Sequence, residues 1–73
     1  MTITAGDTVT VKAPERAYGY DGTYLLPGEL AVVVNPKVPA VTGRRPYFAF
    51  CEFIKDGRQG RAGIFPDNLV KVK

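Results

Sequence analysis

Two stretches of the chain show the spacing of hydrophobic and polar residues that is typical of β-strands. In Gly6–Lys12, polar and apolar residues alternate, so Val9 and Val11 share one face while the polar side chains share the other. Strict alternation indicates a strand that buries a single face. Leu30–Val34 is instead a short continuous apolar run rich in β-branched residues, and we predict a buried strand there.

Proline and glycine separate these strands from the rest of the chain. Pro14 is expected to end the first strand and Asn35-Pro36 the second, because proline cannot donate a hydrogen bond to a sheet ladder. Ala13–Glu29 has no sustained periodicity and contains several glycines, which predicts a long loop with some hairpin character. Pro36–Pro46 is rich in proline and is predicted to be a second exposed loop.

The second half of the chain begins with a predicted β-hairpin. The aromatic-rich stretch Tyr47–Ile54 is expected to pair with a strand over Arg58–Phe65. Asp56-Gly57 lies between them and supplies the positive φ angles of a tight hairpin turn. Gly63 permits a sharp bend or the close approach of another backbone. Phe65 is expected to lie in the core.

The chain then reads as strand, single turn, strand. Pro66 cannot join a ladder, and Asp67-Asn68 can hydrogen-bond the backbone locally before a last strand starts at Leu69. Five short strands without helical periodicity or an internal repeat favour a small, strongly bent antiparallel barrel, which buries one face and limits the open edges. We therefore predict a single all-β barrel domain spanning residues 1–73.

The last part of the chain resembles a known family. Ala62–Lys71, with the sequence AGIFPDNLVK, is similar to the end of Src homology 3 domains. There, a glycine, two apolar residues, Pro-Ser-Asn-Tyr and a valine mark the last hairpin strand, a one-turn helix and the closing strand. The resemblance implies a five-stranded Src homology 3-like barrel with two long loops and a one-turn 3-10 helix near Pro66–Asn68.

The first half resembles that family less closely. Ala17–Asp21 looks like the Ala-Leu-Tyr-Asp-Tyr signature that opens those domains, and Gly28–Leu30 looks like the Gly-Asp that begins their second strand. The interval between the two is shorter here. We prefer the register in which Gly6–Lys12 is the first strand and Ala13–Glu29 is the family's long arginine-threonine loop, as in prokaryotic Src homology 3-like barrels.

In signalling members of the family, an aromatic groove binds polyproline. Loop tyrosines, a tryptophan at the start of the third strand, and the proline and tyrosine of the Pro-Ser-Asn-Tyr turn form that groove. Here Pro66 and Asn68 match, Leu69 replaces the tyrosine, and the chain has no tryptophan. Phe48 or Phe50 is the candidate replacement platform, but neither offers the indole N–H donor. The resemblance thus implies a binding surface without the features that select polyproline.

Composition argues against catalysis. The chain has no histidine and one cysteine, Cys51, so it forms no internal disulfide and no typical zinc site. It also lacks a carboxylate cluster at metal spacing and a phosphate-binding glycine loop. We predict a non-enzymatic protein without a cofactor or metal. Cys51 lies in an apolar strand, where we expect a buried and inert thiol.

Nothing in the sequence predicts membrane association. No basic segment followed by an apolar core opens the chain, and no apolar run approaches the ~20 residues that span a bilayer. A single thiol within an apolar run suits a reducing compartment. We expect a soluble, cytoplasmic protein, and the sequence leaves its oligomeric state open.

The candidate binding residues come from the two loops and the strands beside them. Aromatic residues and arginine are frequent anchors of interfaces, and proline reduces the entropy that a loop loses on docking. We predict that a protein partner binds a surface formed by Tyr18, Tyr20, Tyr24, Arg45, Phe48, Phe50, Pro66 and Asn68. In the simpler interpretation, the tyrosine rings cover the barrel mouth while their hydroxyls reach water.

Two alternative functions stay open. The net charge of +3 is modest and the basic residues are scattered, so nucleic acid is permitted but not indicated. Its candidate contacts are Arg44, Arg45, Lys55, Arg58 and Arg61, although such residues are also common in exposed β loops. The other alternative, suggested by the resemblance, is an accessory subunit of an enzyme or electron-transfer complex.

Overall fold

The structure, a computed structural model, describes residues 3–41 and 45–72, and these residues form an all-β fold. The strands are β1 (Thr8–Val11), β2 (Ala17–Tyr18), β3 (Tyr24–Leu25), β4 (Ala31–Pro39), β5 (Tyr47–Lys55), β6 (Arg58–Ile64) and β7 (Leu69–Val72). A 3-10 helix at Pro66–Asn68 connects β6 to β7. Within the described ranges, no helix is long and apolar enough to cross a membrane.

Five of the strands form one antiparallel sheet, as predicted. Its order is β6-β5-β4-β1-β7, and the two-residue strands β2 and β3 pair separately. The sheet is open, because its outer strands β6 and β7 are not paired with each other in the part of the chain that the structure describes. The five paired strands confirm the prediction of an all-β fold built on five antiparallel strands.

The core lies on one face of this sheet. Val9 and Val11 are buried while Thr8 and Thr10 are not, which confirms the half-buried strand that alternation predicts. β5 and β6 alternate in the same way. The buried apolar side chains are Ile3, Val9, Val11, Ala17, Leu25, Ala31, Val33, Ala49, Cys51, Phe53, Ala62, Ile64 and Leu69.

β4 is longer and less buried than the sequence predicts. The strand continues through Asn35-Pro36 to Pro39, so the prediction that this dipeptide ends it is wrong. The pairing with β5 shifts on both sides of Asn35, and such a bulge leaves a residue outside the ladder, where a proline removes no hydrogen bond. Val32 and Val34 are also exposed, so β4 is half-buried rather than buried.

The C-terminal half agrees more closely with the sequence. Asp56 and Gly57 have φ angles of 53° and 76°, which are the positive values expected of the hairpin turn. The 3-10 helix and β7 also lie where turn chemistry places them. The prediction that Phe65 lies in the core is wrong, however. Phe65 is half-buried and lies outside the core, while Ile64 is buried. Side chains alternate across a strand, so a strand that points Ile64 inward points Phe65 outward.

Candidate binding surface

A layer of aromatic rings covers the outer face of β5 and β6 near Gly63. Tyr20 lies in the loop after β2, and its backbone N–H donates to the carbonyl of Arg61 on β6 at 3.0 Å. This bond anchors the loop to the sheet. The Tyr20 ring stacks on Phe50, with ring centroids 6.1 Å apart and planes inclined by 19°. An offset, nearly parallel pair of this kind is a favourable aromatic geometry.

Gly63 makes room for this aromatic layer. It pairs with Phe50 across the strands. A Cβ atom at Gly63 would lie 2.7 Å from ring carbons of Phe48 and 3.1 Å from the Tyr20 hydroxyl. A glycine inside a strand commonly marks such a close approach. Here aromatic side chains, rather than another backbone, make the approach.

The long loop Ala13–Glu29 and the residues that follow β4 meet beside this layer and form a depression of about 250 Å³. We call it the aromatic cleft, and it is lined by Tyr18, Tyr20, Ala40, Val41, Phe48, Gly63 and Phe65. Tyr18 is 64% exposed and Tyr20 is 69% exposed. The cleft therefore offers two accessible phenol rings above a base formed by the sheet.

Arg45 lies next to the cleft and is partly neutralised. Its guanidinium lies 3.0 Å from a carboxylate oxygen of Asp67 and 5.7 Å from the ring centre of Phe65. Its side chain remains 46% exposed. Arginine over an aromatic face is a favourable cation–π geometry. Arg45 thus supplies a polar edge while its charge is partly balanced within the protein.

Tyr24 contacts residues outside the aromatic cleft. Its ring packs against Tyr18 with centroids 6.3 Å apart, but Tyr24 does not line the cleft. The Lys55 ammonium lies 3.9 Å from the Tyr24 ring centre and donates to the Tyr24 carbonyl at 2.9 Å. Lys55 also donates to Glu29 at 3.1 Å. The Leu26 N–H and then Lys55 hold the pKa of the Glu29 carboxyl below its usual range.

Pro66 and Asn68 belong to the 3-10 helix and do not line the cleft. Both are half-buried. The N–H of Asn68 donates to Phe65 at 2.8 Å, and its carbonyl accepts from the N–H of Lys12 at 2.7 Å. These bonds connect the turn to the end of β1. Of the predicted binding residues, the structure groups Tyr18, Tyr20 and Phe48 in the cleft, with Phe50 and Arg45 as neighbours.

The basic residues of the nucleic-acid alternative do not form one free patch. Arg44 lies outside the described residues. Arg45 pairs with Asp67, Lys55 with Glu29, and Arg61 with Glu52 at 3.4 Å. Arg58 is exposed and helps to lower the pKa of Asp21, after the larger effect of hydrogen bonds from Thr23. Internal carboxylates thus oppose much of this positive charge.

The described residues contain no group of three or more potential metal ligands. Cys51 is fully buried, and this burial raises the pKa of its thiol to about 11. A thiol of that pKa carries almost no thiolate at neutral pH, so it is a poor nucleophile.

Sequence reasoning missed part of the cleft lining, namely Ala40, Val41, Gly63 and Phe65. The signal for Gly63 was present, since a glycine in an aromatic hairpin suggests that rings lie over it. Ala40 and Val41 carried no such signal. Comparison of the chain with protein-family models, with curated proteins and with solved structures gave no match.

Proposed function

We propose that this chain is a non-enzymatic protein–protein interaction module that binds its partner through the aromatic cleft. The observation that carries the proposal is the position of Tyr18 and Tyr20, which are exposed around a depression where two loops meet. Tyrosine loses little conformational entropy on binding and combines a large apolar ring with a polar hydroxyl. Exposed tyrosines anchored on a sheet are therefore suited to a protein interface.

Our proposal includes a Src homology 3-like barrel as the finer description of the fold. Three features support it. The sheet order β6-β5-β4-β1-β7 places the closing strand beside β1, a long loop with its own small hairpin separates β1 from β4, and a 3-10 helix precedes β7. The long loop also contacts β6, through the hydrogen bond from the Tyr20 N–H to the Arg61 carbonyl.

We propose a partner other than a polyproline peptide. Leu69 occupies the place of the family's binding tyrosine, and its side chain is buried in the core. Neither Pro66 nor Asn68 lines the cleft, and the backbone of each takes part in hydrogen bonds of the turn. With no tryptophan in the chain, the cleft lacks the indole donor that orients such a ligand.

Affinity capture from source cells tests this proposal. The wild-type chain serves as bait beside a Tyr18→Ala/Tyr20→Ala variant, with Val70→Ser as the matched control at an exposed site outside the cleft. We expect a protein that survives nuclease treatment and high salt, is retained by the control, and is lost with the tyrosine variant. Recovery of nucleic acid that washes off in salt would instead support the alternative function, because phosphate contacts are strongly salt-dependent.

A further inference from the structure

A second depression of the described surface lies on the outer face of the sheet. It has a volume of about 890 Å³. We call it the sheet groove, and it is lined by Thr8, Glu29, Leu30, Ala31, Val32, Glu52, Phe53, Ile54 and Gln59. It shares no lining residue with the aromatic cleft. The two are therefore separate surfaces.

Exposed aliphatic side chains dominate the sheet groove. Leu30, Val32 and Ile54 are 54%, 46% and 71% exposed. Val32 pairs with Glu52 across β4 and β5, and continuing this register places Leu30 beside Ile54. Adjacent strands lie about 4.8 Å apart, so these side chains form one contiguous apolar area. A contiguous apolar area with polar residues at its rim is typical of an interaction site.

The charges that line the sheet groove are of one sign. Among the residues that the structure describes, its ionisable members are Glu29 and Glu52. Their side chains are 40% and 36% exposed. Each is ion-paired through one oxygen, Glu29 with Lys55 and Glu52 with Arg61, and these two bases line other depressions. A carboxylate accepts several hydrogen bonds, so each glutamate retains capacity for a basic group of a partner.

The pairing of the strands limits the form of the occupant. β4 pairs with β1 and β5, and β5 pairs with β4 and β6. β6, which contributes Gln59, is an edge strand of the open sheet, but β4 and β5, which carry the apolar residues of the floor, have no free edge to which an extended peptide could add. An occupant that lies over β4 and β5 must satisfy its own backbone hydrogen bonds, and an α-helix does so internally.

We propose that the sheet groove binds an amphipathic helix of a protein partner, with an apolar stripe flanked by lysine or arginine. The stripe packs on Leu30, Val32 and Ile54, and the basic side chains reach Glu29 and Glu52. A second copy of this chain fits poorly. An isologous contact would bring the same carboxylates together, and the described residues contain no α-helix to offer. This surface goes beyond the proposed function, which rests on the aromatic cleft.

Titration of the labelled protein with synthetic helices tests the proposal. The probe is an 18-residue peptide with leucines at helical spacing and lysines elsewhere, a length of roughly five turns. A peptide with glutamate in place of lysine and a scrambled leucine–lysine peptide are the controls. We expect the leucine–lysine helix to shift the backbone amides of Val32, Glu52 and Ile54, and to bind at least tenfold more tightly than either control.

Variants locate the contact. Ile54→Lys should weaken binding of the leucine–lysine helix at least tenfold, and Glu52→Gln should weaken it severalfold and reduce its salt dependence. Val70→Lys, a comparable change at a residue that is 41% exposed and lines neither surface, should have no effect. Amide shifts of each variant without peptide verify the fold.

Three results would overturn the proposal. Equal binding of the glutamate peptide would remove the role of the carboxylates. Shifts confined to Tyr18, Tyr20 and Phe48 would assign the peptide to the aromatic cleft, leaving the proposed function intact. Shifts of the groove amides that depend on protein concentration, without peptide, would make a second copy the occupant.

Discussion

Single residues set the shape of both surfaces, and Gly63 shows this most directly. Its missing side chain lets Phe48 and Tyr20 lie close to β6. The sequence showed that a glycine stood in an aromatic hairpin but not which group would approach it, because that depends on where the loop after β2 folds back. Phe65 is a different case, because the alternation that points Ile64 inward and Phe65 outward is a local property that the sequence already contains.

Substitution of Gly63 tests this packing. Gly63→Ala should lower the free energy of unfolding by about 1 to 3 kcal/mol, because the new methyl group would overlap the Phe48 ring. In a Phe48→Ala background the same change should cost much less, since its obstacle is gone. Gln59→Ala, an exposed site on the same strand, is the control. An unchanged Tm for Gly63→Ala in the otherwise wild-type chain would show that the rings are elsewhere.

Cys51 provides a second test at the residue scale. Burial raises the pKa of its thiol to about 11, so the reactive thiolate is scarce at neutral pH and is shielded by the core. We expect a thiol reagent at pH 7 to label the native protein at least a hundredfold more slowly than the protein in denaturant. Comparable rates in the two conditions would contradict the burial of Cys51.

At the scale of elements, the sequence predicted best the elements that depend on local turn chemistry. The hairpin turn, the 3-10 helix and β7 each follow from a dipeptide or tripeptide whose backbone preferences act on neighbouring residues. β4 was predicted poorly beyond Val34. Its continuation through Asn35-Pro36 depends on pairing with β5 and on a bulge, and both are tertiary features. A local proline signal cannot report a partner strand that is distant in sequence.

The turn between β5 and β6 can be tested as an element. Gly57 has a φ of 76°, which a β-branched residue adopts only with strain. Gly57→Val should therefore lower the free energy of unfolding by about 1 to 2 kcal/mol. Asp56→Gly keeps both positive φ angles accessible and should change it by much less. Equal losses from the two variants, measured by denaturant unfolding, would show that the turn conformation is different.

At the scale of the whole molecule, the fold presents two surfaces of different chemistry. The aromatic cleft combines tyrosine and phenylalanine with the edge provided by Arg45. The sheet groove combines aliphatic side chains with two carboxylates. Sequence reasoning proposed the first surface because its tyrosines stand out in a loop. It missed the second, because Leu30 and Val32 belong to an apolar run that was read as buried on both faces.

The central claim is that a protein partner occupies the aromatic cleft. Its most direct test is to add the captured partner to the isotopically labelled chain and follow the backbone amide shifts. We predict that the largest shifts fall on Tyr18, Tyr20, Phe48 and Gly63, and that Tyr20→Ala weakens the affinity at least tenfold, a loss typical of an interface anchor. Shifts confined to the opposite side of the molecule, with full affinity in Tyr20→Ala, would contradict the claim.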